Sequence, residues 1–210
     1  MKKYICFSEG ALHYIPNFIP QKSANKIYGY LYNSLEWQNK KIFLFGKWVE
    51  QPRKICWFGD TSYKYSHLVL LPNQWDPIVK KLKTKIEESF GLEFNHALLN
   101  LYENENHYLS WHSDNEKELG TNPTIASLSF GVTRKIVFCR KDQKRIQANL
   151  FQLDLMHGSL LLMLGSIQHH WVHSIPKERK MKPLWILDNS KNYPTNSRIS
   201  ITFRKIYKIN

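Results

Sequence analysis

Cysteine is scarce in this chain: Cys6, Cys56 and Cys139 are scattered through 210 residues, and no two form a CxxC pair. That excludes a disulfide framework and a zinc ribbon, and it fits a reducing, intracellular compartment. Long apolar runs are missing too. The longest, residues 160–164, has the length of a buried strand and falls far short of the ~20 residues of a membrane helix. The opening MKKYICFSEG carries two lysines, but its apolar run is too short for a signal peptide. The expectation is an intracellular protein, neither secreted nor membrane-bound. Repeats, low-complexity tracts and Gly/Ser linkers are also lacking. Acids are few: 17 Asp and Glu face 30 Lys and Arg, for a formal net charge of +13. Such an excess favours a polyanionic partner, either nucleic acid or an anionic membrane surface. A lysine-rich surface kept for solubility would give the same count.

Two helices are expected. Residues 20–36 place Ala24, Ile27, Tyr28, Leu31 and Leu35 on one face. Residues 74–90 do the same with Trp75, Ile78, Val79, Leu82, Ile86 and Phe90, and Gly91 is a stop signal. From Phe94 onward the pattern changes to short strands at 96–103, 125–131, 134–141, 149–155, 158–164, 169–176 and 198–207. A helical N-terminal half followed by strands gives an α+β class with a sandwich or open-barrel core. Residues 177–197, with two prolines and many polar residues, read as a long surface loop. The length suits one compact domain, with residues 1–92 as its N-terminal region and 93–210 as its core.

The chemistry gathers in WHSDNE. In extended chain, His112 and Asp114 project to the same side. A third ligand from a distant strand would make the two-histidine, one-carboxylate triad of non-haem Fe(II) oxygenases. His173 in HHWVHS is the candidate, with His169 and His170 as alternatives; as strand residues, His169 would share a face with His173 and His170 would face away. The last strand, RISITFR, sets Arg198, Ser200, Thr202 and Arg204 on one face and Ile199, Ile201 and Phe203 on the other. Two inward arginines need an anionic occupant. They lie roughly 20 Å apart at ~3.3 Å per residue, so they could hold opposite ends of a small dicarboxylate between their long side chains. An exposed edge strand would show the same pattern. Asn100 and Tyr102 in LLNLYE form a similar one-faced polar pair.

Taken in order, N-x-Y (Asn100, Tyr102), H-x-D (His112, Asp114), a distal His173 and R-x5-R (Arg198, Arg204) resemble the AlkB family of Fe(II)- and 2-oxoglutarate-dependent dioxygenases. IASLSFG, HGSLLLM and HWVHSIP are similar to it as well, so the resemblance covers roughly residues 15–206. It implies a double-stranded β-helix, or jelly-roll, core with N-terminal helices and a nucleotide-recognition hairpin. It implies iron held by His112, Asp114 and His173, and 2-oxoglutarate held by Asn100, Tyr102, Arg198, Thr202 and Arg204, with O2 as the other co-substrate.

FLFGKWVEQPRKICWFGD is similar to the nucleotide-recognition region of the family branch that prefers double-stranded DNA. By that match Leu44, Phe45 and Gly46 form a finger whose ring replaces a flipped base, and Tyr65 and Glu116 face the damaged base. Lys47, Arg140, Lys141, Lys144 and Arg145 would meet phosphates. The activity implied is oxidative demethylation of 1-methyladenine and 3-methylcytosine by a monomer, giving succinate, CO2 and formaldehyde. An RNA or single-strand demethylase, a non-catalytic reader of damaged bases and a protein hydroxylase remain as other readings. Two departures stand out: a longer stretch between His173 and Arg198, which could add a lid or a DNA contact, and Asn115 where those relatives have an acid.

Overall fold

Local signals bound the second helix sharply. The Asp76 carboxylate accepts the backbone N–H groups of Ile78 and Val79 at 2.9 and 3.0 Å, Pro77 follows, and Gly91 stops the helix at a left-handed φ of 64°. The computed structural model describes residues 2–44, 46–60, 63–65, 68–70, 72–179, 183–188 and 191–207.

In chain order the elements are β1 (Lys3–Phe7), β2 (Gly10–Ile15), α1 (Gln21–Ser34), β3 (Gln38–Leu44), β4 (Lys47–Gly59), β5 (Tyr63–Tyr65) and β6 (Leu68–Leu70). Then come α2 (Pro77–Phe90), β7 (His96–Tyr102), β8 (Leu109–His112), β9 (Ile125–Gly131), β10 (Arg134–Arg140), β11 (Phe151–Leu155) and β12 (Ser159–Gly165). The chain finishes with α3 (Ile167–His170), β13 (Trp171–Ile175), β14 (Leu184–Asp188), β15 (Lys191–Thr195) and β16 (Arg198–Arg204).

An eight-stranded sheet runs β1-β2-β12-β9-β16-β7-β4-β3, and a four-stranded sheet runs β11-β10-β13-β8. Pleating explains how the large sheet is covered on both sides. Leu99, Leu101, Ile199, Ile201 and Phe203 pack in one cluster with Ala24, Tyr28, Leu31, Val79, Leu82 and Ile86 of the helices. Leu98 and Tyr102 fall in a second cluster with Ile136, Phe138, Leu153 and Ile175 of the small sheet. β7 and β9 are therefore buried along their whole length. The result is an α+β jelly roll with the helices outside and the space between its two sheets inside.

Three expectations are corrected. The N-terminal half is not mainly helical, because β1, β2, β3 and β4 supply half of the large sheet. Residues 177–197 are not simply a surface loop. β14 and β15 pair there from Leu184↔Thr195 to Asp188↔Lys191, and Leu184 packs against the helix-side core. Residues 167–170 form the short helix α3, so His169 and His170 do not lie on one strand with His173.

Candidate active site

β8 ends at His112, and the neighbouring strand β13 sets His173 directly opposite it. The two ring centroids are 4.2 Å apart. Asp114 follows two residues on, and one potential ligand atom from each of the three residues falls within 4.8 Å of the others. No other such cluster of His, Cys, Asp and Glu occurs among the described residues. His112 Nδ1 lies 2.9 Å from the Ser110 carbonyl. A carbonyl can only accept, so Nδ1 carries the proton and the Nε2 lone pair is left for a metal.

Burial governs the charges of this trio. It pushes the His112 imidazole below its ordinary value and His173 to about 3, where His112 and Arg204 add to it. Both rings are therefore neutral near pH 7, and the 3.7 Å approach of His173 Nε2 to Asp114 is not an ion pair there. Burial alone would raise Asp114; Arg204, His112 and His173 outweigh it and hold the carboxyl below its usual value. Arg204 Nη2 donates to Asp114 Oδ1 at 2.5 Å, and the Asp114 N–H donates to Gln168 Oε1 at 2.9 Å. Two neutral imidazoles and one fixed carboxylate make a donor set suited to Fe(II).

The cavity behind these residues lies between the sheets and has a volume of about 40 Å³. β16 pairs with β7 so that Arg198 faces Tyr102 and Ser200 faces Asn100. Register therefore merges the N-x-Y and R-x5-R motifs into one wall, which Thr202 and Arg204 continue toward Asp114. Arg198 is 1% exposed. Its Nη2 donates to Ser129 Oγ at 2.9 Å, while Nε and Nη1 have no partner. Burial lowers its pKa to about 10. A buried cation with open donors suits a carboxylate, so the wall fits the anionic co-substrate that the motifs imply.

Sequence reasoning passed over Arg53, Gln168 and Arg134. Arg53 on β4 lines the cavity and donates from Nε to Asn100 Oδ1 at 2.7 Å. Its signal was the alternation of Gln51, Arg53, Ile55 and Trp57, which turns all four inward. Gln168 lies between the expected strands 158–164 and 169–176 and falls in α3.

The expected substrate contacts are more dispersed. Leu44 pairs with Lys47 at the end of the β3–β4 hairpin, and Gly46 has a φ of 78°. Phe45 and the side chains of Leu44 and Tyr65 lie outside the described residues. Gly46 and Lys47 are exposed, as are Trp48, Val49 and Glu50 after them. Glu116 is half-buried just past Asp114, and its Oε2 is buried without a hydrogen-bond partner. Within the basic run, Arg140 is paired with Glu9 and Asp142. Lys141 donates to the Gln168 carbonyl at 2.9 Å. Lys144 and Arg145 are exposed, and Arg145 lies over the Trp111 ring at 5.4 Å. No helix among the described residues is long and apolar enough to cross a membrane.

Comparison with known proteins agrees with this geometry. The family described as the 2OG-Fe(II) oxygenase superfamily matches residues 11–204. The chain is 35% identical over 198 residues to alpha-ketoglutarate-dependent dioxygenase alkB homolog 3 of Bos taurus, across 91% of this chain and 65% of that protein. It is 34% identical over 193 residues to DNA oxidative demethylase ALKBH2 of Mus musculus, across 87% of this chain and 75% of that protein. The chain thus spans somewhat less than two thirds of the alkB homolog 3 relative. Its fold matches the structure of OsALKBH1 with a TM-score of 0.63 at 16% identity, covering 97% of this chain and 100% of that one.

Proposed function

Because the chain belongs to the 2OG-Fe(II) oxygenase superfamily, we propose that it is a dioxygenase that demethylates N-alkylated bases in DNA oxidatively. The observation that carries this reading is the convergence of His112, Asp114 and His173 beside a wall holding a buried arginine with open donors. When bound, Fe(II) with 2-oxoglutarate and O2 supplies the oxidising power that hydroxylates an N-methyl group, releasing succinate, CO2 and finally formaldehyde.

The chain's own residues bind and orient. His112, Asp114 and His173 hold the iron. Arg198 grips one carboxylate of 2-oxoglutarate beside Tyr102, and Asn100 and Thr202 line the same wall. Arg204 stands at the other end, where its bond to Asp114 keeps that ligand ionised and aimed. 1-Methyladenine and 3-methylcytosine are the proposed lesions: each carries a positive charge that the open oxygen of Glu116 attracts. Tyr65 is assigned to the rim of the base pocket.

Double-stranded DNA is the proposed partner of a monomeric, intracellular enzyme. The supporting feature is the β3–β4 hairpin, where Gly46, Lys47 and Trp48 are exposed; Leu44, Phe45 and Gly46 are assigned to the finger. Flipping a base costs a few kcal/mol, and a stacked ring returns about 1–3 kcal/mol. Lys47, Lys144 and Arg145 are assigned to phosphates. Arg140 and Lys141 support that surface from beneath through the partners they already have.

The test is incubation of methylated oligonucleotides, single- and double-stranded, with Fe(II) and 2-oxoglutarate. The expected result is loss of the methyl mass with matching succinate, abolished by His112→Ala, and a duplex preference reduced by Phe45→Ala. No mass change and no succinate would leave a damaged-base reader instead. A duplex preference untouched by Phe45→Ala would remove the finger from the account.

A further inference from the structure

Arg134 opens β10 and is 0% exposed. A guanidinium so placed is costly unless its donors are used. Here they meet backbone carbonyls. Nη2 donates to His107 O at 2.9 Å and to Pro176 O at 2.5 Å, and Nη1 reaches Asn104 O at 3.4 Å. Nε stands 3.9 Å from the Glu178 carboxylate. These acceptors belong to two segments. Asn104 and His107 lie in the connection from β7 to β8, while Pro176 and Glu178 lie just past β13. β8 carries His112 and β13 carries His173.

That pair of strands is weakly joined by its own ladder. β8 has four residues and forms an edge of the small sheet. Its register with β13 shifts between His173 and Ile175. An irregularity of this kind leaves ladder bonds locally broken. Arg134 closes the pair beyond the irregularity. The Glu178 N–H, donating to Glu105 O at 2.9 Å, joins the same two segments. The Arg134 guanidinium also lies 5.6 Å from the Tyr102 ring centroid, and that of Arg198 lies 5.3 Å from it. One side chain thus reaches the segments that flank both histidine-bearing strands and the wall of the cavity.

We propose that Arg134 is a positioning residue for the iron site: by joining the segments that flank β8 and β13, it fixes the spacing of His112 and His173. The proposal rests on the reading of His112, Asp114 and His173 as metal ligands. Arg134 itself touches neither metal nor substrate. Its forked donors are what the role requires, because a lysine in its place brings a single point of donation.

The test compares the wild-type protein with Arg134→Lys, titrated with Co(II) well below either protein's melting transition. Outer partners of metal ligands typically set affinity by roughly 10–100-fold. The expected result is a loss of Co(II) affinity in that range, with an altered Co(II) absorption spectrum, in a variant that is still folded. A variant that melts earlier yet binds Co(II) with wild-type affinity and spectrum overturns the proposal, since Arg134 is then only structural. If Arg134→Lys does not fold, hydrogen exchange of the wild-type protein decides. Amides of residues 107–112 and 173–178 should open as one unit, and independent opening of the two overturns the tie. A wild-type protein that binds no Co(II) removes the metal-site reading itself, and the proposal falls with it.

Discussion

Arg204 donates a 2.5 Å hydrogen bond to Asp114, while Arg198, six residues earlier on the same strand face, keeps two donors open. One cation serves the carboxylate of the candidate metal trio; the other has buried donors without a partner. The two arginines therefore respond in opposite ways to removal.

Arg204→Met should destabilise the metal-free protein by about 3–5 kcal/mol at neutral pH, because it strands a buried carboxylate. Asp114 titrates below its ordinary value in the fold, so its contribution is complete above that value and is lost as pH falls through the folded pKa. Urea unfolding at pH 7 measures the loss. A change under 1 kcal/mol would mean that Asp114 is solvated without Arg204.

Arg198→Met should leave the metal-free fold as stable as wild type, or more stable, because it removes a buried cation with unused donors. The KM for 2-oxoglutarate should rise roughly 10–100-fold, the worth of charged hydrogen bonds at about 1.5–3 kcal/mol. Co(II) affinity should hold. Paired melting curves and initial rates at varied 2-oxoglutarate check both halves, and a lowered melting temperature with unchanged KM contradicts them.

His157 should make stability depend on pH. Its Nδ1 accepts the Gly131 N–H at 2.9 Å, and its Nε2–H donates to Asn25 Oδ1 at 3.0 Å, so the ring fits only when neutral. Burial depresses its pKa from 6.5 to about 4. Between these values the unfolded chain binds more protons, so stability rises with pH across the window. It is complete above pH 6.5 and is lost as pH falls toward 4, by about 2–3 kcal/mol. His157→Gln should flatten that part of the profile. Urea midpoints taken across the window in both proteins would show parallel curves if His157 were not responsible.

Gly131→Ala should be severe. The residue sits at φ 90°, and a Cβ there would overlap the Ser197 carbonyl and crowd the Tyr28 ring. Tyr28→Phe should be mild, at about 1 kcal/mol. It removes 2.5 Å bonds to Thr195 and Ser197, but those hydroxyls still meet each other at 3.1 Å. Thermal melts of the two variants rank the effects, and comparable losses would show that the turn relaxes around a methyl group.

The convergence of His112, Asp114 and His173 was legible because two short-range signals met: i, i+2 alternation for His112 and Asp114, and a strand end for His173. Asn100, Tyr102 and the two arginines were legible as faces, but their merger into one wall needed the β7–β16 register, which pairs residues about a hundred positions apart. Arg53 had only an ambiguous signal, its alternation with Ile55 and Trp57, and Arg134 had none. A lone basic residue in a strand reads as outward, and only the partner sheet decides that it points in. The β14–β15 hairpin was hidden by Pro194 and polar flanks. Glu9 neutralises Arg140 from 131 positions away, so the basic run looked freer than it is.

Strand β16 lies between β9 and β7 at the middle of the large sheet, yet it follows every other described strand in the chain. During synthesis the sheet must wait with its centre open until residue 204 has emerged. Only then can Leu99 and Leu128 meet Ile201, and only then can Asp114 find Arg204. Non-local pairing of this kind closes slowly and leaves apolar edges exposed meanwhile. The newborn chain is thus most vulnerable to aggregation just before its candidate active site exists, and the bond that fixes the Asp114 carboxylate is among the last to form.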